Sequence, residues 1–281
     1  LFATHFLVKA LVKRGSTLMN LDLEGKVAII TGGSDGIGKA AALSMSREGA
    51  RVAIAARTEE TLAEAASQIS TETGNEVIGI SADVSDEAQV ESLIRQVADK
   101  WGQIDIIVNN AGTSSVARIE EMTNEQMVAD VALKVYGAIY CTRHALPYLK
   151  QSEAGVIINT TTPGGKAAPA GNQPTAMSRA AGISLTKSWS KELAEFNIRV
   201  NTICIGLIKS GQHRKKWAAV HADDPAYSLS DHWRAMSKGI PLGRVGEALE
   251  AGDVICFLAS SRAGYVTGAS INIDGGSSPV V

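Results

Sequence analysis

Gly32, Gly36 and Gly38 could hold a diphosphate. They stand in Thr31-Gly32-Gly33-Ser34-Asp35-Gly36-Ile37-Gly38, directly after the apolar run 27–30. Gly32 permits a tight turn, Gly36 lets backbone N–H groups approach a phosphate, and Gly38 lets a helix pack closely on a strand. Ser34, Asp35 and Ile37 complete the loop. Glycines so spaced are, in isolation, more often a plain helix cap. Here they follow a predicted strand and open a predicted helix, and that context points to a dinucleotide. Asp83 and Val84 follow the third apolar run and can meet an adenine edge. Asn109, Ala111 and Gly112 follow the fourth, where the two small residues leave room for a ribose. Cofactor choice is a matter of charge. An acid about twenty residues past the turn would bond the adenosine ribose of NAD. The chain has Ala55-Ala56-Arg57 there, and Arg57 suits a 2′-phosphate. NADP(H) is therefore favoured over NAD(H). Asp35 works against this choice, because its charge repels the extra phosphate unless it pairs with Arg57.

These residues need a frame. Short apolar runs at 27–30, 52–55, 77–80, 104–108, 156–158, 198–203 and 271–273 alternate with amphipathic stretches. The stretches, at 37–47, 59–70, 87–100, 124–150, 176–195 and 247–258, read as helices. Apolar runs without polar alternation are strands covered on both faces. Repeated βα units give an α/β chain with a doubly wound, mostly parallel sheet, a Rossmann fold, as one domain over 19–281. Residues 211–239 are polar and fit neither a strand nor one clean helix. They read as the main part of a substrate-side insertion at about 207–240. Leu1–Leu18 lacks acids and reads as an extension ahead of Met19 rather than an amphipathic targeting arm.

A net charge of -2 gives no hint of nucleic acid or an anionic membrane as partner. Cys141, Cys204 and Cys256 lie far apart in apolar surroundings and read as reduced thiols, which suits the cytoplasm. His and Cys show no ligand spacing, so no metal is expected. The basic run Gln212-His213-Arg214-Lys215-Lys216 either attracts an anionic substrate or forms a solvated helix face.

The glycine turn, Asn-Asn-Ala-Gly at 109–112, Gly268 and Asp274-Gly275-Gly276 together resemble the short-chain dehydrogenase/reductase family over residues 26–276. The resemblance implies hydride exchange between a nicotinamide and a carbonyl or alcohol. It adds Gly206, Ile208 and Ser210 to the cofactor set, with Ser210 able to bond the carboxamide. It also implies a catalytic Asn, Ser, Tyr and Lys, and each is changed. Thr162 stands at the serine position, Thr175 at the tyrosine, Arg179 at the lysine and Lys134 near the asparagine. Thr162 keeps a hydroxyl, and Arg179 keeps a charge that can hold ribose hydroxyls. Thr175 cannot titrate near neutral pH as a tuned phenol does. No tyrosine stands between Tyr148 and Tyr227, so no shift of alignment restores one. Tyr136, Tyr140, His213, Tyr227 and His232 are the candidates for a recruited proton donor. The expected protein is an NAD(P)(H)-binding oxidoreductase for a small carbonyl or alcohol substrate, forming a homodimer or homotetramer. The alternative is a catalytically silent dinucleotide-binding regulatory or structural subunit.

Overall fold

Valine, isoleucine and alanine crowd the central strands, which is why they sink. Strand β1 (Val27–Thr31) is buried at every position, as are β4 (Ile106–Asn109), β6 (Val156–Thr161) and β8 (Arg199–Ile205). A strand without a solvated face must lie inside a parallel sheet covered by helices. The computed structural model describes residues 19–281. The extension expected at 1–18 lies outside the described residues.

With β2 (Arg51–Ala56), β3 (Val77–Ser81) and β9 (Ser270–Ile273), these strands form a seven-stranded sheet in the order β3-β2-β1-β4-β6-β8-β9. Every pair is parallel, with Ala28 opposite Val52 on one side and Ile106 on the other. Two short strands, β5 (Val116–Ala117) and β7 (Gln173–Pro174), pair antiparallel in a separate ribbon. Strand order reverses between β1 and β4, so a crevice opens where their carboxyl ends part.

Helices cover both faces. Met45 of α1 (Gly36–Arg47), Leu62 of α2 (Glu59–Thr73) and Ile255 of α9 (Ala248–Ala259) pack on one. Leu93 of α3 (Glu87–Trp101) and Leu149 of α5 (Gly137–Leu149) pack on the other. Local signals set the ends. Asp86 accepts hydrogen bonds from the Ala88 and Gln89 amides at the start of α3, and Gly102 closes it in the left-handed conformation. Thr123 and Gln126 make a capping box on α4 (Asn124–Val131). The long α6 (Thr175–Glu192) follows β7.

The structure differs from the sequence reading in two places. The helix expected over 124–150 is interrupted by a π-turn, Ala132–Tyr136, between α4 and α5. An extra residue in one turn leaves no trace in hydrophobic periodicity. The polar stretch 211–239 forms two helices, α7 (Gly211–Asp223) and α8 (Leu229–Ser237). Neither buries a residue fully, and α7 carries no clear apolar stripe.

Helix α9 crosses α1 at Gly252, where a Cβ would come within 2.7 Å of the Ala40 carbonyl carbon. Replacing Gly252 by Val should cost about 1–3 kcal/mol by overpacking this contact, read as a lower urea midpoint at unchanged slope.

Candidate functional site

The glycine turn is fastened before any ligand arrives. Gly32 and Gly33 donate their N–H groups to the Ala55 carbonyl at 2.7 and 3.2 Å, seating the turn on β2. The Thr31 hydroxyl accepts from the Asn110 and Ala111 amides, both at 3.0 Å. Asn110 Nδ2 donates to the carbonyls of Thr31 and Gly32 at 2.9 and 3.2 Å. These bonds stitch the ends of β1 and β4 together at the switch point. A Cβ on residue 38 would collide with the Gly32 carbonyl, and residue 36, at φ +56°, holds a conformation that disfavours any side chain.

Beside the turn lies an open cleft of about 990 Å³, at the upper end for a small-molecule site. Gly32, Ser34, Asp35, Gly36 and Ile37 line one side; Gly206, Ile208 and Ser210 line another. Thr162, Thr175, Arg179 and Gly112 reach the same space. The residues present fit a dinucleotide. The start of α1 borders the cleft, the glycines keep its floor free of side chains, and a buried guanidinium nitrogen inside it lacks a partner.

Other expected residues stand behind the wall or beyond it. Asn109 turns its amide inward, donating to Thr142 Oγ1 at 3.2 Å and Asn159 Oδ1 at 2.9 Å. Asn159 continues to Thr186, forming a buried polar ladder rather than cleft lining. Asn110, which the sequence reading passed over, occupies the cleft wall instead. Gly38 and Ala111 pack behind the turn. Asp83 closes its own loop by accepting from the Ser85 amide and hydroxyl at 2.9 and 2.6 Å, and Val84 packs beside Gly137. Arg57 is exposed past the end of β2 and makes no ion pair among the described residues. It does not pair with Asp35. Asp35 instead accepts from the Gly211 amide at 2.9 Å and from Arg214 at 3.2 Å.

At the far end of the cleft sits a buried charge cluster. Lys134, carried on the π-turn, forms an ion pair with Asp130, and both side chains are almost fully enclosed. Lys134 Nζ also donates to Thr175 Oγ1 at 2.9 Å. That hydroxyl donates to the Ser115 carbonyl at 2.7 Å and accepts from the Ser115 amide at 3.0 Å, so it is fully engaged. Asp130 accepts a further bond from Ser178 at 2.6 Å. Arg179 donates from Nη1 to the Thr160 carbonyl at 2.6 Å. Its Nε is enclosed without a partner, and its Nη2 lies against Gly112. Two cations thus share one acid. Burial, and next the Arg179 charge, push Lys134 down to about 8 against the opposing pull of Asp130. Burial likewise lowers Arg179 to about 10, opposed by Asp130. Such a cluster favours an electron-rich oxygen, because one charge lacks a counterion.

The insertion closes over the opening. Gln212 Nε2 donates to the Gly112 carbonyl, and its Oε1 accepts from the Ser114 amide, both at 3.3 Å. His213, Lys215 and Lys216 face the cleft. Burial, then the charges of Lys216 and His232, lower His213, so its imidazole is neutral near pH 7. The other candidate donors pair with one another: Tyr136 lies tilted against Tyr140, and Tyr227 packs edge-on to His232. Among the described residues no group of His, Cys, Asp and Glu could hold a metal, and no helix is long and apolar enough to cross a membrane.

Residues 32–278 match the family model described as enoyl-(acyl carrier protein) reductase. The chain is 36% identical over 256 residues to 3-oxoacyl-[acyl-carrier-protein] reductase of Thermotoga maritima, covering 90% of this chain and 98% of that one. The structure superposes on L-sorbose reductase of Gluconobacter frateurii, solved with NADPH and L-sorbose, with a TM-score of 0.89 at 30% identity. That match covers 94% of this chain and 100% of the reductase. It also matches the NADPH-bound short-chain oxidoreductase of Pseudomonas aeruginosa that contains an atypical catalytic centre. There the TM-score is 0.83 at 34% identity, covering 91% and 98%. A doubly wound sheet with this glycine turn at its switch point defines a dinucleotide-binding oxidoreductase fold. The chain belongs to the short-chain dehydrogenase/reductase family.

The buried lysine gives a pH test. Its folded value lies below the ordinary lysine value, so the unfolded chain binds more protons between about pH 8 and 10. Stability from this group therefore rises with pH across that window. Measured by urea unfolding, wild type should gain on Lys134→Met by about 1–3 kcal/mol from pH 8 to pH 10.

Proposed function

We propose that the chain binds NADP(H) and interconverts a small carbonyl compound and its alcohol. The observation that carries this reading is the cleft beside the fastened glycine turn, with the Nε of Arg179 unpartnered inside it. The backbone of residues 32–38 holds the diphosphate, and Arg57 meets the 2′-phosphate. Asp83 and Val84 lie toward the adenine, and Asn109 braces the wall from behind. Arg179 holds ribose hydroxyls, and Ser210 bonds the carboxamide. Bound NADP(H) supplies the hydride. Thr162 orients the substrate carbonyl. Thr175 fixes the Lys134 ammonium behind Arg179, and these charges favour the oxygen as it gains electron density. The proton comes from water. NADPH in the similar reductase and oxidoreductase structures supports the cofactor choice. We place the protein in the cytoplasm as a homodimer or homotetramer meeting through α9 and β9. Phe257 on α9 exposes 40% of its surface there.

One observation favours the silent dinucleotide-binding reading. The Thr175 hydroxyl already makes three hydrogen bonds, and no phenol replaces it. The two readings separate by turnover. NADPH oxidation should be measured against ketoses, 3-oxoacyl thioesters and simple ketones. The oxidoreductase reading expects consumption with at least one class, lost about 10²-fold in Thr162→Val if that hydroxyl stabilises the reacting oxygen. Saturable NADPH binding with no turnover of any class selects the silent protein. Arg179→Ala should weaken NADPH about 10- to 100-fold on the scale of a charge-assisted hydrogen bond.

A further inference from the structure

We infer that Arg214, on the insertion, sets cofactor choice by neutralising Asp35 in the glycine turn. This rests on the NADP(H) reading above.

Asp35 stands at the start of α1, where an acid would ordinarily cap its own helix. It makes no such bond. Its carboxylate reaches across to the insertion, taking the Gly211 amide on one oxygen and Arg214 on the other. The fit is shaped for it, because a Cβ on residue 211 would collide with this carboxylate. Among the described residues, Asp35 is the one acid lining the cleft.

An acid at this place disfavours NADP(H), because its charge repels a 2′-phosphate. Arg214 balances that charge, and the Gly211 amide holds the carboxylate beside it. They also leave Arg57 without a carboxylate partner among the described residues. Lys39, the other cation near the turn, is engaged with Gln68. Lys215 and Lys216 face the cleft but do not touch Asp35. Arg214 is therefore a positioning residue, acting on the cofactor through Asp35.

Dissociation constants for NADPH and NADH should be measured by fluorescence titration for wild type, Arg214→Ala, Asp35→Asn and the double variant. Both side chains are half-exposed, so these variants should keep the fold, which circular dichroism checks. Wild type should prefer NADPH. Arg214→Ala should lower that preference about five- to tenfold at low salt, and less at 0.5 M salt, as fits one carboxylate acting through solvent. The double variant should regain the wild-type preference, because no charge remains to be neutralised. A preference in Arg214→Ala within about twofold of wild type at low salt overturns the inference and leaves the cofactor reading standing, the measured effect being smaller than a single charge predicts. A double variant as poor as Arg214→Ala also overturns it, since the loss then comes from the helix rather than from Asp35. A folded wild type that prefers NADH, or binds neither cofactor, overturns the cofactor reading itself.

Discussion

The close seating of the glycine turn against the ends of β1 and β4 is the constraint on which the site depends. Thr31 and Asn110 fasten two strands where the sheet parts, and only a residue without a Cβ fits at position 38. That geometry sets the start of α1 beside the cleft and keeps its floor bare. Everything else is arranged from there. The cleft opens beside the turn, the insertion anchors on Asp35 at its rim, and the charge cluster stands at its far end.

The reaction end follows another logic from the phenol-based centre that the family resemblance implies. A tyrosine would bring a titrating hydroxyl into the cleft. Thr175 instead turns its hydroxyl to the Ser115 backbone and to Lys134. In the proposed reaction, charge stands in for the phenol. Lys134 claims Asp130, Arg179 forms no ion pair among the described residues, and the cluster holds a surplus positive charge in a buried setting. In the proposed reaction, catalysis would lean on electrostatic preorganisation more than on proton transfer by a side chain.

The fold was legible because its strands are buried on both faces, and apolar runs of that kind have few other readings. The glycine turn was legible for the same local reason, since backbone conformation demands glycine there. What stayed hidden depended on three-dimensional company. Nothing in the order of residues says that Asn109 faces the interior while Asn110 faces the cleft. The π-turn that brings Lys134 inward adds one residue to a turn without changing its polarity. Sequence spacing linked Asp35 to Arg57 through the cofactor, whereas the fold gives it Arg214, 179 residues away.

The most direct test of the central claim is calorimetric titration of NADPH into wild type and Gly36→Val. The fold permits glycine at this position at φ +56° with Ser210 close by. A single saturable site in wild type, abolished in a variant with unchanged secondary structure, is the expected result. Equal affinity in both proteins, or a flat trace with folded wild type, would contradict the account.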